Sequence, residues 1–507
     1  MDKIVVLDFG SQYSHLICRR IREFSVYAEL VPYNITYEEL QKHNPKGIIF
    51  SGGPSSVYNQ DAPIPESKIF DMNLPLLGIC YGHQLIVDKF GGKVKRANKE
   101  YGSSLLTIDD NEKLLSGIGE SIRAWMSHGD EAESIPNRFK IIGHTESAKA
   151  AAIASEDKAI FGIQFHPEVV HTEYGTKILE NFVLNVCNAK QDWTMEGFID
   201  STVEKISKIE GDVLCGVSGG IDSTVAALLI HRAIGDRLKC VFVNNGLLRL
   251  DEEREIETMF KDNFKVNFTT IDASQKFLEK LSGIDDPEKK RMIVGEEFIH
   301  VFSQFAKENG PFKWLAQGTL YPDVIESGVS KGPASVIKSH HNVGGLPDWL
   351  ELDILEPLRE LYKDEVRKIA KILGVPERLF MRHPFPGPGL AVRIIGEITP
   401  NKLSIAKIAS KIVEDELIEA DWYKKVWQAY ASVGEDKAVG VVGDERKYGN
   451  IVMVRIVDSI DAMTADWTRL PHELLEKISN RITNEIEEVT WVTYAISSKP
   501  PATIEPQ

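Results

Sequence analysis

The chain has 507 residues, of which 43% are apolar and 26% are charged, as in ordinary folded domains. This length favours about two to four domains, because one hydrophobic core rarely serves more than about 250–300 residues. The net charge of −16 argues against a broad nucleic-acid surface, although a mononucleotide needs only a local cluster of amides and cations.

Five cysteines are spaced without any CxxC pair; they are Cys18, Cys80, Cys187, Cys215 and Cys240. This spacing fits neither a disulfide framework nor a zinc site, and it indicates a reducing compartment. The chain starts with charges ahead of a strand-length apolar run, which predicts no signal peptide, and no apolar run is long enough for a membrane span. We therefore expect a cytoplasmic protein.

Short buried strands alternate with helices in the first part of the chain. Strand-like runs cover Ile4–Phe9, Gly47–Phe50 and Leu74–Ile79, and helix-like stretches cover Ser14–Arg22 and His83–Phe90. This alternation predicts an α/β domain with a largely parallel sheet over residues 1–191. Ligands of such sheets bind at the carboxyl ends of strands, so the residues that close each run are candidates for chemistry.

A second α/β pattern starts near residue 192 and predicts a domain over residues 192–382. Its elements are the helices Met195–Ile209 and Ile221–Ile234 and the strands Asp212–Val217, Cys240–Asn244 and Lys265–Ile271. The run His383–Leu390 reads HPFPGPGL, and its prolines and glycines exclude a regular helix. Beyond it, helix-like stretches and strand-like runs predict a smaller α+β domain over residues 383–507. Those runs are Lys437–Val442, Ile451–Val457 and Thr490–Ile496.

Cys80 lies between a predicted strand and a predicted helix, with Gly78 and Gly82 on either side. A sharp strand-to-helix turn projects a nucleophile and needs small neighbours, and a helix N-terminus favours the reactive thiolate. A cysteine at a strand end is more often a small buried side chain, so the glycines carry the interpretation as a nucleophile.

A thiolate nucleophile needs a base and an orienting group, and His166 and Glu168 follow another strand-like run. His-Pro-Glu in isolation is more typical of a turn, and it gains weight only beside the cysteine turn. The tetrahedral intermediate needs hydrogen-bond donors, which the amides of Gly53 and Tyr81 would supply.

Five segments in this order resemble the class I (triad) glutamine amidotransferases: SGGPSSV, GICYGHQ, EYG, SHGD and GIQFHPEV. The resemblance covers residues 1–190. It implies that Cys80 attacks the glutamine amide, that His166 shuttles the proton and that Glu168 orients His166. It also implies that Gln84 and Asp130 recognise glutamine. The released ammonia would be useful only if a second site consumes it.

A glycine-rich turn connects a predicted strand to a predicted helix; its residues are Ser218, Gly219, Gly220, Ile221, Asp222 and Ser223. Such a turn presents amides to phosphate, although it also suits a helix cap. It lacks the Walker pattern and instead resembles the pyrophosphate loop of the doubly wound ATP pyrophosphatases, which adenylate a substrate oxygen. Asp222 fits this chemistry, because released pyrophosphate is chelated by Mg²⁺, which needs a carboxylate.

Two cationic residues agree with this resemblance. Lys363 starts a predicted amphipathic helix and is expected to contact phosphate, although a charged helix face is the simpler reading of the same residues. Arg249 follows a strand-like run, and a guanidinium there would bind the phosphate of the acceptor.

Three further regions resemble the GMP synthase family: residues 317–347, the run RHPFPGPGLAVR and the final SSKPPATIEPQ. The resemblance runs over essentially the full length and implies XMP as the acceptor and a homodimer formed by the C-terminal domain. It places Lys499 and Glu505 at the XMP site, with Arg455 as a further phosphate ligand. Many members end in Ile-Glu-Trp-Glu, so Pro506 and Gln507 are not predicted as ligands.

An adenylated intermediate must be kept from water, and the segment Lys338–Pro347 is predicted to belong to a mobile cover. Three alternatives remain. An ATP pyrophosphatase that acts on tRNA should show a basic surface or zinc cysteines. A non-catalytic sensor should lack residues such as Cys80 or Asp222. A glutaminase with a structural C-terminal half would leave the glycine-rich turn unexplained.

Overall fold

The computed structural model describes residues 1–324, 352–442, 444–459 and 464–507. These residues form two compact units, Met1–Phe198 and Ile199–Gln507. Within the described ranges, no helix combines the length and the apolarity that crossing a membrane requires. The predicted cover at Lys338–Pro347 lies outside the described residues.

Unit 1 contains nine strands and four α-helices. The strands are β1 (Lys3–Asp8), β2 (Tyr27–Pro32), β3 (Gly47–Phe50), β4 (Leu76–Ile79), β5 (Lys93–Ile108), β6 (Ser121–Ser134), β7 (Phe139–His144), β8 (Ala152–Ser155) and β9 (Ile160–Ile163). The helices are α1 (Ser14–Glu23), α2 (Tyr37–Lys42), α3 (Tyr81–Lys89) and α4 (Gly175–Glu180). All nine strands join one sheet in the order β2-β1-β3-β4-β9-β8-β7-β5-β6.

The sheet of unit 1 has a parallel half and an antiparallel half. Strands β2, β1, β3, β4 and β9 pair in parallel, as the buried apolar runs predict. Strands β8, β7, β5 and β6 extend the sheet in antiparallel pairs, so the expected largely parallel sheet describes only the first half. Strand β6 is long and alternates buried with exposed residues. A strand with one solvent-exposed face does not form a continuous apolar run in the sequence.

The described residues of unit 2 form nine further strands. They are β10 (Val213–Gly216), β11 (Leu238–Asn244), β12 (Phe268–Asp272), β13 (Trp314–Ala316), β14 (Asp353–Leu355), β15 (Gln428–Val442), β16 (Glu445–Asp458), β17 (Asp466–Trp467) and β18 (Val489–Tyr494). The first five form a parallel sheet in the order β12-β11-β10-β13-β14. In the second sheet, β16 pairs with β15, β17 and β18.

The other described α-helices follow from Met195 onward. They are α5 (Met195–Ser207), α6 (Ile221–Ile234), α7 (Glu252–Glu257), α8 (Ser274–Leu281), α9 (Pro287–Asn309), α10 (Lys363–Ile372), α11 (Glu377–Phe380), α12 (Pro400–Glu419) and α13 (His472–Glu485). The bounds of α6 agree with the prediction. The 23-residue α9, with its Asp286 cap and Pro287 at its first turn, was not predicted.

One hydrophobic core in unit 2 joins the parallel sheet to the C-terminal elements. It contains Leu214 of β10, Phe277 of α8, Ile405 of α12 and Val454 of β16. The run His383–Leu390 contains no regular helix before the 3-10 turn at Gly389–Arg393, as its prolines predict. The division of the chain into three domains at residues 191 and 382 stays a prediction.

Candidate active sites

Cys80 occupies a strained turn between β4 and α3. Its φ is 52° and its ψ is −103°, a conformation that non-glycine residues rarely adopt. The close packing of the turn explains its two glycines. A Cβ on Gly78 would lie 2.3 Å from the Gly82 carbonyl oxygen, and one on Gly82 would lie 2.5 Å from that of Phe50. The turn that the sequence predicts is therefore present at Cys80.

His166 and Glu168 follow β9 and form a buried pair beside Cys80. The His166 Nδ1 and Glu168 Oε1 atoms are 2.7 Å apart, and the Glu168 side chain is fully buried. Burial lowers the pKa of His166, but the Glu168 carboxylate and the Cys80 sulfur outweigh it and hold that pKa well above its usual value. The structure thus brings together the three residues predicted as a triad.

The cavity at Cys80 has a volume of about 990 Å³, and the other predicted residues of this site line it. They are Gly53, Tyr81, Gln84 and Asp130. Gln84 donates from Nε2 to the Asp130 carbonyl oxygen at 3.2 Å. The Asp130 carboxylate accepts hydrogen bonds from Ser56 and from Tyr58, the latter at 2.7 Å. One wall therefore carries both side chains predicted to recognise glutamine.

The second candidate site is a cavity of about 800 Å³ at the carboxyl end of β10. Residues Ser218–Asp222 of the glycine-rich loop line it, and Gly219 has a φ of 76°, which favours glycine. The Ser223 hydroxyl accepts the Ser218 amide at 3.2 Å and donates to the Gly220 carbonyl oxygen at 3.2 Å. These bonds hold the loop open at the N-terminus of α6, where anions bind favourably.

Lys363, the first residue of α10, faces this loop. Its Nζ lies 2.7 and 2.6 Å from the two Asp222 carboxylate oxygens. A lysine that neutralises the loop carboxylate also stands where it can neutralise phosphate. Among the described residues, no cluster of three or more His, Cys, Asp or Glu side chains is arranged to hold a metal ion.

Arg249 lines the same cavity and connects it to the C-terminal segment, residues 497–507. The guanidinium carbons of Arg249 and Arg393 lie 4.4 and 4.9 Å from the centroid of the Phe385 ring. Arg393 in turn holds the Glu505 carboxylate with two hydrogen bonds of 3.0 and 2.9 Å. Phe385 and Arg393 together thus connect Arg249 to Glu505, two residues that the family resemblance assigns to XMP binding.

The side chain of Arg455 binds main-chain oxygens of the same C-terminal segment. The guanidinium donates to the carbonyl oxygens of Ile504, Ser497 and Thr503 at 3.0, 3.0 and 2.7 Å. Lys499 exchanges main-chain hydrogen bonds of 2.7 and 3.1 Å with Ala465. Neither Arg455 nor Lys499 lines the cavity of the Ser218–Ser223 loop.

Two contacts of the C-terminal segment were not predicted. Lys290 of α9 is fully buried, and its Nζ donates to Gln507 Oε1 at 2.6 Å and to the Ile394 carbonyl oxygen at 2.7 Å. Burial lowers the pKa of Lys290 to about 8. The sequence predicts no role for Arg393, because its partner Glu505 is distant in sequence.

Three family models match the chain in succession. The glutamine amidotransferase class-I model matches residues 5–186, the NAD synthase model matches residues 193–296, and the GMP synthase C terminal domain model matches residues 415–506. The first match contains Cys80, His166 and Glu168, and the second contains the loop Ser218–Ser223.

Curated relatives match over the whole chain. The sequence is 51% identical over 508 residues to a glutamine-hydrolyzing GMP synthase of Brachyspira hyodysenteriae, covering 100% of this chain and 99% of the relative. It is 51% identical over 509 residues to the protein of that name from Maridesulfovibrio salexigens, covering 99% of both chains. A third, from Alkaliphilus metalliredigens, is 51% identical over 507 residues and 99% of both chains.

Proposed function

The chain belongs to the family of glutamine-hydrolysing GMP synthases, and from that premise we propose that its two cavities divide the reaction between them. The cavity at Cys80 frees ammonia from glutamine, and the cavity at Ser218–Ser223 uses ATP to install it on XMP. One observation carries the proposal: a nucleophile turn paired with a buried His–Glu couple and a phosphate loop faced by Lys363 occur in one chain.

In the first half-reaction, the Cys80 thiolate attacks the amide carbon of glutamine. Because Glu168 and Cys80 raise the pKa of His166, the imidazole holds the thiol proton as an imidazolium and then delivers it to the leaving ammonia. The amides of Gly53 and Tyr81 stabilise the oxyanion. Water then hydrolyses the thioester to glutamate.

The wall that carries Gln84 and Asp130 selects the amino-acid end of glutamine. The Asp130 carboxylate is fixed by Ser56 and Tyr58, so it presents a held negative charge to the ammonium group of glutamine. Gln84 is in turn fixed by the Asp130 carbonyl oxygen. Asp130 thus selects by position and by charge, and Gln84 selects by position.

In the second half-reaction, O2 of the xanthine ring attacks the α-phosphorus of ATP and pyrophosphate leaves. Ammonia then attacks C2 and AMP leaves, which gives GMP. The amides of Ser218–Ser223 and the N-terminus of α6 bind the departing phosphates, and Lys363 exchanges Asp222 for phosphate.

Magnesium would enter this site with ATP. Mg²⁺ is generally held by one or two carboxylates together with substrate phosphates, and the Asp222 carboxylate fits that arrangement. When bound, the ion neutralises charge that develops on pyrophosphate. Asp222 and Lys363 keep opposite charges beside the loop, so the protein can orient both the ion and the phosphates.

For the acceptor, we infer that Arg249 and Lys499 bind the phosphate of XMP and that Glu505 also belongs to the XMP site. Arg455, which holds three carbonyl groups of the C-terminal segment, would keep that segment in place beside the ligand. Arg393 fixes the Glu505 carboxylate in the same way.

A homodimer through the C-terminal sheet completes the proposal. Val439 and Tyr448 are exposed cross-strand partners, Val441 is exposed two residues further along β15, and exposed Trp491 donates to the Val439 carbonyl oxygen at 3.0 Å. This apolar strip suits a second copy of the same surface. Sedimentation equilibrium would give the mass of two chains. The cytoplasmic location stays a prediction.

The decisive experiment measures GMP formation from XMP, ATP and Mg²⁺ with either glutamine or ammonium as the nitrogen source. For Cys80→Ala we expect no detectable glutamine-dependent activity and wild-type activity with ammonium, because only the first half-reaction needs the thiolate. Cys187→Ala, which removes another buried cysteine of unit 1, is the matched control. Absence of GMP from wild-type protein with both nitrogen sources would refute the acceptor.

A further inference from the structure

Strand β6 forms the wall behind the glutaminase residues and contacts them through its main chain. The Ser127 carbonyl oxygen accepts from the Cys80 thiol at 3.6 Å, and that of Trp125 accepts the His166 amide at 3.0 Å. The Asp130 carbonyl oxygen accepts from Gln84. The position of β6 therefore sets the position of the nucleophile, the base and the glutamine-binding wall.

A buried carboxylate–imidazole pair lies in the middle of this wall. Glu100 of β5 and His128 of β6 are direct cross-strand partners, and the register shifts between Arg96 and Glu100. The His128 Nε2 and Glu100 Oε2 atoms are 3.2 Å apart, and the side chains are 2% and 13% exposed. Neither atom has a hydrogen-bond partner among the residues that the structure describes.

The hydrogen bond of His128 Nδ1 determines which ring nitrogen carries a hydrogen when the ring is neutral. His128 Nδ1 lies 3.0 Å from the Asp130 carbonyl oxygen, and a carbonyl only accepts, so Nδ1 carries a hydrogen. In the neutral ring, Nε2 would then carry a lone pair 3.2 Å from a Glu100 carboxylate oxygen. Two acceptors facing each other in a buried place are unfavourable, so a proton must lie between them.

We propose that Glu100 and His128 share one proton and that this pair is a positioning device which holds β6 against Cys80 and Gln84. The inference rests on the proposed glutaminase activity. His128 lines the cavity at Cys80, whereas Glu100 lies behind it and outside the lining. The pair acts through the carbonyl groups of Ser127 and Asp130, which flank it on the same strand.

The charged surroundings of the pair are few. Glu131 of β6 is paired with Lys95 of β5 at 3.6 Å, and the Asp130 carboxylate is occupied by Ser56 and Tyr58. From α3, burial lowers the pKa of His83 to about 3, so this ring is neutral and brings no competing charge. Burial lowers the pKa of His128 below its usual value, and the Glu100 carboxylate only partly opposes this, so a proton on the pair depends on that carboxylate.

The test compares Glu100→Ala with Glu100→Gln. Alanine removes the proton-holding partner, whereas the amide of Gln can donate to a neutral His128 Nε2. For E100A we expect kcat/KM for glutamine to fall about 10- to 100-fold, mainly through KM, with ammonium-dependent GMP formation unchanged. For E100Q we expect a value within about threefold of wild type, given a restored hydrogen bond.

The pH profile separates a shared proton from simple packing. The wild-type pair loses its proton as the pH rises, but the amide hydrogen of E100Q cannot be lost. The ratio of E100Q to wild-type glutamine-dependent activity should therefore rise towards alkaline pH. A flat ratio would overturn the shared proton.

His144→Gln is the matched control, because His144 pairs with Asp109 at 2.8 Å on the same sheet but is exposed. Its glutamine kinetics should equal those of wild type.

Wild-type KM and kcat for glutamine in E100A would refute the positioning role while leaving the proposed function intact. Failure of wild-type protein to use glutamine, with ammonium accepted, would instead refute the glutaminase proposal. E100A should still show a cooperative thermal unfolding transition, at a lower midpoint than wild type because a buried partner is lost. Loss of that transition would shift the decision to the E100Q profile.

Discussion

The two candidate sites differ in what their reactive side chains contact before any substrate arrives. At the first site, His166 contacts both Cys80 and Glu168, and these contacts are the ones that the proposed chemistry uses. At the second site, Lys363 is paired with Asp222, and Glu505 is paired with Arg393. Substrate has to enter the second site by exchanging some of these ion pairs.

This difference has an energetic consequence. A preformed triad costs no rearrangement when glutamine binds, so its strained turn and buried pair are maintained by the fold. Exchange of an ion pair requires a ligand that offers a comparable charge. A phosphate-bearing ligand does so, whereas a neutral molecule of similar shape does not. We therefore expect the second site to select ligands that carry phosphate.

Lys363→Met gives the largest expected effect at the second site. Removing the ammonium group leaves Asp222 without its partner and phosphate without a counter-charge. We expect kcat to fall about 10³-fold with both nitrogen sources, measured as AMP release. Lys368→Met, on the exposed face of the same helix, is the control. Equal loss in both variants would show that helix stability rather than phosphate binding is at stake.

Glu168→Gln tests whether the first site is preformed electrostatically. Loss of the carboxylate lowers the pKa of His166, so the imidazolium deprotonates at lower pH, and glutamine-dependent kcat should fall about 10²-fold. In wild-type protein the charged imidazole stabilises unit 1 below pH 6.5, and this contribution is lost as the pH rises through the higher folded pKa. Unfolding midpoints of both proteins at acidic and alkaline pH check the sign.

Glu505→Gln gives the smallest expected effect. The amide keeps the shape of the side chain but leaves Arg393 without its bidentate partner, so the C-terminal segment is held less firmly. We expect KM for XMP to rise about 10-fold with little change in kcat. KM values for ATP, measured in parallel, should stay near wild type. A change confined to the KM for ATP would show that Glu505 does not contribute to XMP binding.

Residues adjacent in sequence were predictable in a way that distant partners were not. The Cys80 turn and the Ser218–Ser223 loop each lie within one strand–turn–helix unit, so local spacing describes them. The contact of Arg393 with Glu505 joins positions 112 residues apart, and no periodicity reports such a pair. The hairpin of β5 and β6 was not predicted, because one face of β6 is exposed to solvent and the sequence there shows no continuous apolar run.

The close approach at Gly78 and Gly82 bears on how mutational scans of this protein should be interpreted. Every other amino acid carries a Cβ, so each substitution at these positions meets main-chain oxygen regardless of its polarity. Intolerance there would match that of Cys80 in a growth screen on glutamine. A sensitive position in such a screen therefore identifies indispensable geometry as readily as indispensable chemistry.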